Sequence, residues 1–195
     1  MNPMFVPNIT ETIGRTKKTS DLATKLLENN IIYLGDELDN DTGSLIIMEL
    51  LWLGTQTEEI NFYINSPGGT VIDGLAIKDV IDNLDKKGVK VNTIGLGQCA
   101  SMGAYLLSCG TGKRRLMPRS RYMLHSILGG TSGSLPDVEI YVNESKYLQN
   151  QINEDLIEFS GGKLDKKLVK KLIDRDTFLR PSQVIEYGLA DEIIE

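Results

Sequence analysis

The sequence predicts an α/β domain built on a largely parallel sheet, and three observations predict it. Strand-like apolar runs alternate with helix-period runs along the chain. A strand, a glycine turn and a helix follow one another twice, at residues 66–69 and 97–103. One long helical pattern runs from residue 136 to about 159. Alternating strands and helices are the signature of βαβ units, whose parallel strands need crossover helices. The 195 residues fit a single domain with a substantial core. We divide the chain into an N-terminal extended arm, residues 1–19, and one domain, residues 20–195. Residues 129–160 form a protruding region of that domain.

Taken in order, residues 1–19 carry Pro3, Pro7 and Gly14 without a sustained period, which reads as an extended, mobile arm. Ser20-Asp21 starts a short helix with Leu22, Ala23, Leu26 and Leu27 at helical spacing. Ile31-Ile32-Tyr33-Leu34 is a compact strand. Residues 44–54 are apolar almost all round, which predicts a buried helix. Ile60-Asn61-Phe62-Tyr63-Ile64-Asn65 is the next strand, stopped by Ser66-Pro67-Gly68-Gly69. Val71, Leu75, Val80, Ile81 and Leu84 then mark a helix closed by Lys86-Lys87-Gly88.

Residues 89–96 alternate like a half-buried strand, and Tyr105-Leu106-Leu107 opens a buried helix. Residues 113–118 and 122–125 read as strand, turn and strand. The glycine-rich run 129–134 is either a flexible loop or an edge whose free amides pair with an extended peptide. In the long helix Val138, Tyr141, Val142, Ser145, Leu148, Ile152, Leu156 and Phe159 share one stripe. At 1.5 Å per residue this helix spans about 35 Å. A stripe that long predicts oligomerisation; the alternative is a helix lying flat on its own domain. Residues 164–173 form another short helix.

A net charge of −6 and a pI of about 4.9 argue against nucleic acid as a partner. The basic run at 163–171 reads as a solvated helix face. Cys99 and Cys109 read as small buried hydrophobes, not as a disulfide. No apolar run is long enough for a membrane span, and no secretory pattern opens the chain. These features predict no membrane partner and a cytoplasmic protein, or one in the stroma or matrix of an organelle.

The chemistry centres on Gly97-Gln98-Cys99-Ala100-Ser101-Met102-Gly103-Ala104. Ser101 sits where a strand ends and a helix begins, so unpaired amides and the helix dipole favour negative charge there. A serine so placed can be a nucleophile, with the Met102 N–H available to a developing oxyanion. A plain helix N-cap is the alternative. The chain holds one histidine, His125, and imidazole is the usual base at neutral pH. A histidine-activated Ser101 therefore requires His125. Asp176 is the candidate to orient it, with a surface ion pair to Arg175 or a capping role as alternatives.

These residues and their order resemble the ClpP family, the proteolytic subunits of ATP-dependent Clp proteases. The matching pieces are Val6-Pro7, Tyr63-Ile64-Asn65-Ser66-Pro67-Gly68-Gly69, the elbow 97–104, Met123-Leu124-His125, Leu128-Gly129-Gly130, Asp174-Arg175-Asp176-Thr177-Phe178-Leu179 and Glu186-Tyr187-Gly188-Leu189-Ala190-Asp191. The resemblance implies a spiral of βαβ units shared with crotonases, carrying a protruding handle helix. It implies a serine endopeptidase with Ser101 as nucleophile, His125 as base, Asp176 as orienting acid, and the amides of Gly69 and Met102 as oxyanion hole. Gly68, Val71, Leu128, Gly129 and Gly130 would border a peptide bound as an added strand. Asp174 and Arg175 would serve contacts between two stacked heptameric rings, either of this chain alone or mixed with paralogous subunits. A separate AAA+ unfoldase would feed unfolded protein into the chamber. The chain itself would need no cofactor or metal, ATP being used by that partner.

The chain departs from the family pattern at named places. Ser126-Ile127 stands where Gln-Pro commonly follows the histidine, and Cys99 where alanine is usual. Extra residues fall around 85–88 and 163–171. Asn61 replaces one of two aromatics in the groove that docks the ATPase, the other position being Tyr63. Three other readings compete. A non-catalytic or partner-dependent subunit of a mixed ring would be expected to lose triad members, and all three candidates are present. An acyl-CoA hydratase on the crotonase spiral would have no need of Ser101, His125 and Asp176 together. An α/β-hydrolase wants glycine where Cys99 stands, and a different residue order.

Overall fold

The computed structural model describes residues 7–195; Pro3 and Val6 lie outside the described residues. Where the sequence predicts an extended arm to residue 19, β1 (Asn8–Ile13) and β2 (Thr16–Asp21) pair antiparallel as a hairpin that runs two residues past it, from Asn8↔Asp21 to Ile13↔Thr16. Gly14 supplies the positive φ (62°) that the tight turn requires. The sequence hid this hairpin because β2 is exposed along its length except at Ser20, so no apolar alternation marks it.

Asp21 then caps α1 (Leu22–Leu27), its carboxylate accepting from the Thr24 N–H at 2.8 Å. β3 (Ile31–Leu34) follows, and Asp39 caps α2 (Asn40–Leu53) by accepting from Thr42 N–H at 2.9 Å. Helix α2 corrects the expectation of a buried helix. Ile46, Leu50 and Leu53 are buried, whereas Leu45, Met48, Leu51 and Trp52 are exposed, Trp52 to 60%. The strand β3 and the next helix cover one side of α2, and its second apolar side is left largely uncovered by the described residues.

β4 (Glu59–Ser66) alternates strictly, with Ile60, Phe62 and Ile64 fully buried and Asn61, Tyr63 and Asn65 on the more open face. After the Pro-Gly-Gly turn, α3 (Val71–Lys86) buries Gly74, Ile77, Ile81 and Leu84. β5 (Lys90–Ala100) pairs parallel with β4, but the register jumps from Ile64↔Gly95 to Ser66↔Cys99, so β5 holds two additional residues. The Asn65 side chain fills this irregularity: its Oδ1 accepts from Gln98 N–H at 3.0 Å. Gly97 has φ +59°, and a Cβ there would lie 2.4 Å from that same oxygen. The irregularity divides β5 into two halves with different neighbours.

The first half pairs parallel with β6 (Arg114–Leu116), and the second with β7 (Arg121–Leu124). Between β5 and β6 in the chain lies α4 (Met102–Ser108), all seven residues buried. The predicted strand, turn and strand thus form, and both strands lie against β5 in parallel. α5 (Leu135–Phe159) is the long helix, followed by α6 (Lys166–Ile173), β8 (Thr177–Leu179), α7 (Pro181–Glu186) and β9 (Glu192–Ile193). The main sheet runs β3-β4-β5-β6-β9, all parallel, with β7 joining β5 to the antiparallel β8. This is the predicted α/β class with a parallel sheet.

The C-terminal part of α5 packs on α4 and α6, burying Ile152 and Leu156. Its first half stands clear: Leu135, Ile140, Tyr141, Val142 and Tyr147 are all exposed. In α6 the buried residues are Val169, Leu172 and Ile173, while Lys166, Lys167, Lys170 and Lys171 face solvent. The basic run is a solvated face.

Candidate active site

Ser101 joins β5 to α4 with φ 54° and ψ −124°. Among the described residues the only other non-glycine with positive φ is Asn30. A conformation of this kind costs about 1–3 kcal/mol and persists where the surroundings over-determine it. Here Ser101 N–H donates to the Met123 carbonyl of β7 at 2.9 Å. The Ser101 carbonyl accepts from Ala104 and Tyr105 N–H in the first turn of α4. The residue occupies the N-cap position, yet its hydroxyl makes no capping bond. The backbone does the work of the cap, and the side chain is left for other chemistry.

The two glycine turns meet at this serine. Gly68 (φ +94°) packs so closely that a Cβ on it would lie 2.6 Å from Ser101 Cβ and 2.8 Å from Met102 N. Leu38 pins the turn: its N–H donates to Gly68 O, and its carbonyl accepts from Thr70 N–H, each at 2.8 Å. A Cβ on Gly69 would lie 2.0 Å from that carbonyl. Between these bonds the Gly69 N–H has no acceptor among the described residues, and neither has the Met102 N–H. Two unspent donors therefore flank Ser101, one from each turn.

His125 follows the last residue of β7. The β7–β8 pairing ends at Leu124↔Thr177, so the next residues outward are His125 and Asp176. His125 Nδ1 lies 3.9 Å from Asp176 Oδ1, with the histidine side chain 14% exposed and the aspartate 67%. That separation is longer than a hydrogen bond.

A cavity of about 410 Å³ is bordered by Gly68, Gly69, Val71, Ser101, Met102, His125 and Leu128. Seven of the predicted positions thus share one space. Gly129 and Gly130 border a neighbouring hollow against α5, together with Ile127, Tyr141 and Gln149. Asp174, Arg175 and Asp176 border a third, which His125 and Leu128 also reach. His125, with Ser126, Leu128 and Ile173, borders both the space that holds Ser101 and the space that holds Asp176. Residues 126–130 form no strand, and Leu128 is 80% exposed.

Cys99, two residues before Ser101, is fully buried, and burial pushes its thiol up to about 12. Cys109 is likewise pushed up to about 12. Neither thiol is poised as a nucleophile, and both are free. Among the described residues no group of three or more His, Cys, Asp or Glu side chains is placed to hold a metal ion.

Three contacts were not visible from residue type alone. Ser126 Oγ donates to Ile173 O at 2.7 Å, and Ile127 N–H donates to Gln149 Oε1 at 2.7 Å. Behind the elbow, Tyr105 OH donates to Asp155 Oδ2 at 2.6 Å, tying α4 to α5. The Ser126-Ile127 departure marked the place of the first two, but their partners lie 47 and 22 residues away.

Residues 14–195 match the model of the family described as Clp protease. The chain is 38% identical over 194 residues to the ATP-dependent Clp protease proteolytic subunit 2 of Parasynechococcus marenigrum (strain WH8102). It has the same identity, over the same length, to the proteolytic subunits 1 of Synechococcus sp. (strain CC9902) and Prochlorococcus marinus subsp. pastoris. Each match covers 98% of this chain and 96% of the relative.

Proposed function

The chain belongs to the Clp protease family of serine-type peptidases, and from that premise we propose that it cleaves unfolded polypeptides with Ser101, His125 and Asp176. Ser101 Oγ attacks the scissile carbonyl while His125 takes its proton. His125 then delivers that proton to the leaving amine, and water, activated by the same imidazole, releases the acyl group. Asp176 holds the histidine and stabilises the imidazolium. The Gly69 and Met102 amides receive the oxyanion; losing one such donor typically costs about 10²–10³ in turnover. No step calls on a cofactor.

The observation that carries this reading is the strained Ser101, its hydroxyl uncommitted, with an unspent amide on each side and His125 on the same cavity. The extended substrate would lie along Gly68 and Val71 on one flank and Leu128, Gly129 and Gly130 on the other, as an added strand. We further propose self-assembly into two stacked heptameric rings, fed by an AAA+ unfoldase. The exposed apolar residues of α5 support a contact with the opposite ring, aided by Asp174 and Arg175, and those of α2 support contacts between neighbouring subunits. Asn61 and Tyr63 would shape the ATPase-docking groove. The 3.9 Å gap between His125 and Asp176 favours a second element of the reading, that the ring completes the site. Closure to a charge-assisted bond of about 2.7–2.9 Å would accompany assembly.

The test is hydrolysis of an unfolded protein and of a short fluorogenic peptide by wild type and Ser101→Ala, with and without a Clp ATPase. Peptide cleavage that vanishes in Ser101→Ala, and protein cleavage that also needs the ATPase, is the expected result. Equal cleavage by both chains would overturn the assignment.

A further inference from the structure

The segment that follows the base is fastened at its first two residues, to two different helices. Ser126 Oγ donates to the carbonyl of Ile173, the last residue of α6 and three residues before Asp176. Ile127 N–H donates to Oε1 of Gln149 on α5, whose Nε2 donates in turn to Asn153 Oδ1 at 3.0 Å. The two contacts of Gln149 agree with a single orientation of its amide.

The strand pairing that brings the base to the acid stops one residue short of both, at Leu124↔Thr177. Beyond it no main-chain hydrogen bond among the described residues holds His125 against Asp176, and their side chains are 3.9 Å apart. The next bond between the two segments is Ser126 to Ile173. The backbone that carries base and acid is thus bracketed on both sides, by the last ladder pair and by the Ser126 hydroxyl. We infer that Ser126 is a positioning residue that holds His125 in register with Asp176, with Gln149 bracing the other flank of the same segment. The inference rests on the reading of Ser101, His125 and Asp176 as a catalytic triad.

Two features make the tie consequential. Ile173 O belongs to the last turn of α6, where carbonyls lack intrahelical partners, so Ser126 supplies a donor that the helix cannot. Small displacements at such a site are costly, since a misplacement of about 1 Å can lower a rate about 10²-fold. The charged groups bordering the same spaces as His125 are Glu37, Asp174, Arg175 and Asp176. Of these, Asp176 is the one that lies 3.9 Å from the imidazole.

The experiment measures the second-order rate at which a small fluorophosphonate labels Ser101 in the full, assembled chain between pH 5 and 9. Wild type, Ser126→Ala, Ser126→Thr and Gln149→Leu are compared. Ser126→Ala is expected to label about 10–100-fold more slowly on the plateau. The loss should fall on kcat for a fluorogenic peptide, with KM little changed, because the hydroxyl acts through His125 and not on the substrate. Ser126→Thr, which keeps the hydroxyl, should recover most of the rate. Gln149→Leu is expected to raise KM for a fluorogenic peptide more than it lowers the labelling rate.

Wild-type labelling by Ser126→Ala, with Ser101 still the labelled residue, overturns the inference and leaves the triad reading intact. A slower rate that Ser126→Thr does not recover shows that the hydroxyl is not what holds the base, and a loss that falls on KM instead of kcat marks a substrate contact; either also overturns it. Wild type that fails to label on Ser101 overturns the triad reading and the inference together. Should Ser126→Ala lose assembly, Ser126→Cys, of similar size but a weak donor, carries the same comparison.

Discussion

Gly68 and Ser101 stand closer than any side chain on Gly68 would allow. A Cβ there would lie 2.6 Å from Ser101 Cβ and 2.6 Å from Ala100 O, at a backbone φ of +94° that disfavours L side chains. Both the space and the conformation exclude alanine. Gly68→Ala should therefore push the elbow away from His125 and lower the rate of Ser101 labelling about 10²-fold. A labelling rate within twofold of wild type would show that the two turns adjust independently.

Asp176 is the least enclosed of the three candidate residues, which sharpens its test. As orienting acid, its amide analogue would stabilise the wrong tautomer of His125. Asp176→Asn is then expected to lower kcat about 10⁴-fold with KM little changed. Were Asp176 merely a surface partner of Arg175, the same variant would retain full turnover.

Tyr105 is 1% exposed, and its hydroxyl is committed to Asp155 at 2.6 Å. Its ring also meets Phe159, with centroids 5.4 Å apart. Burial holds the Asp155 carboxyl above the usual carboxylate range, and removal of the hydroxyl would strip that group of a donor. Tyr105→Phe should cost about 1.5–3 kcal/mol in urea unfolding, the range for a hydrogen bond to a charged group. A midpoint equal to that of wild type would mean that the bond contributes nothing net to the join between α4 and α5.

Glu49 carries a pH dependence of its own. Burial on α2 pushes its carboxyl from 4.5 up to about 7. The folded chain thus keeps the proton up to about pH 7, while the unfolded chain releases it near 4.5. The native state binds more protons through this window, so stability falls as pH rises across it and is level above. Thermal melts of wild type minus Glu49→Gln, taken from pH 4.5 to 8, should decline through the window. A flat difference would show that Glu49 is solvated in the folded protein.

The parts of this molecule that the sequence made legible are those whose signals are local. Ser20-Asp21 announces α1, which Asp21 caps within three residues, whereas α2 begins at Asn40 behind its Asp39 cap, four residues before the apolar run at 44 that predicted it. The alternation of Ile60, Phe62 and Ile64 sets the inward face of β4, and the paired glycines mark both turns that meet at Ser101. The hairpin 8–21 was hidden because an exposed hairpin needs no apolar period. The double apolar character of α2 was misjudged because sequence does not say how many sides of a helix its own chain will cover. The irregularity in β5 depends on Asn65 reaching Gln98, 33 residues on. The fastening of residues 126 and 127 depends on Ile173 and Gln149, which are neighbours through the tertiary fold alone. Residue types could nominate Ser101, His125 and Asp176, whereas the β5–β7 pairing sets Ser101 beside the strand that leads to His125 and the β7–β8 register sets His125 opposite Asp176.

The central claim is that His125 activates Ser101. The most direct measurement is fluorophosphonate labelling of the assembled chain, read by intact mass and peptide mapping, for wild type and His125→Ala. A single adduct on Ser101 in wild type, absent from His125→Ala, is the predicted result. An adduct that persists in His125→Ala, or one that maps to another residue, would contradict the claim.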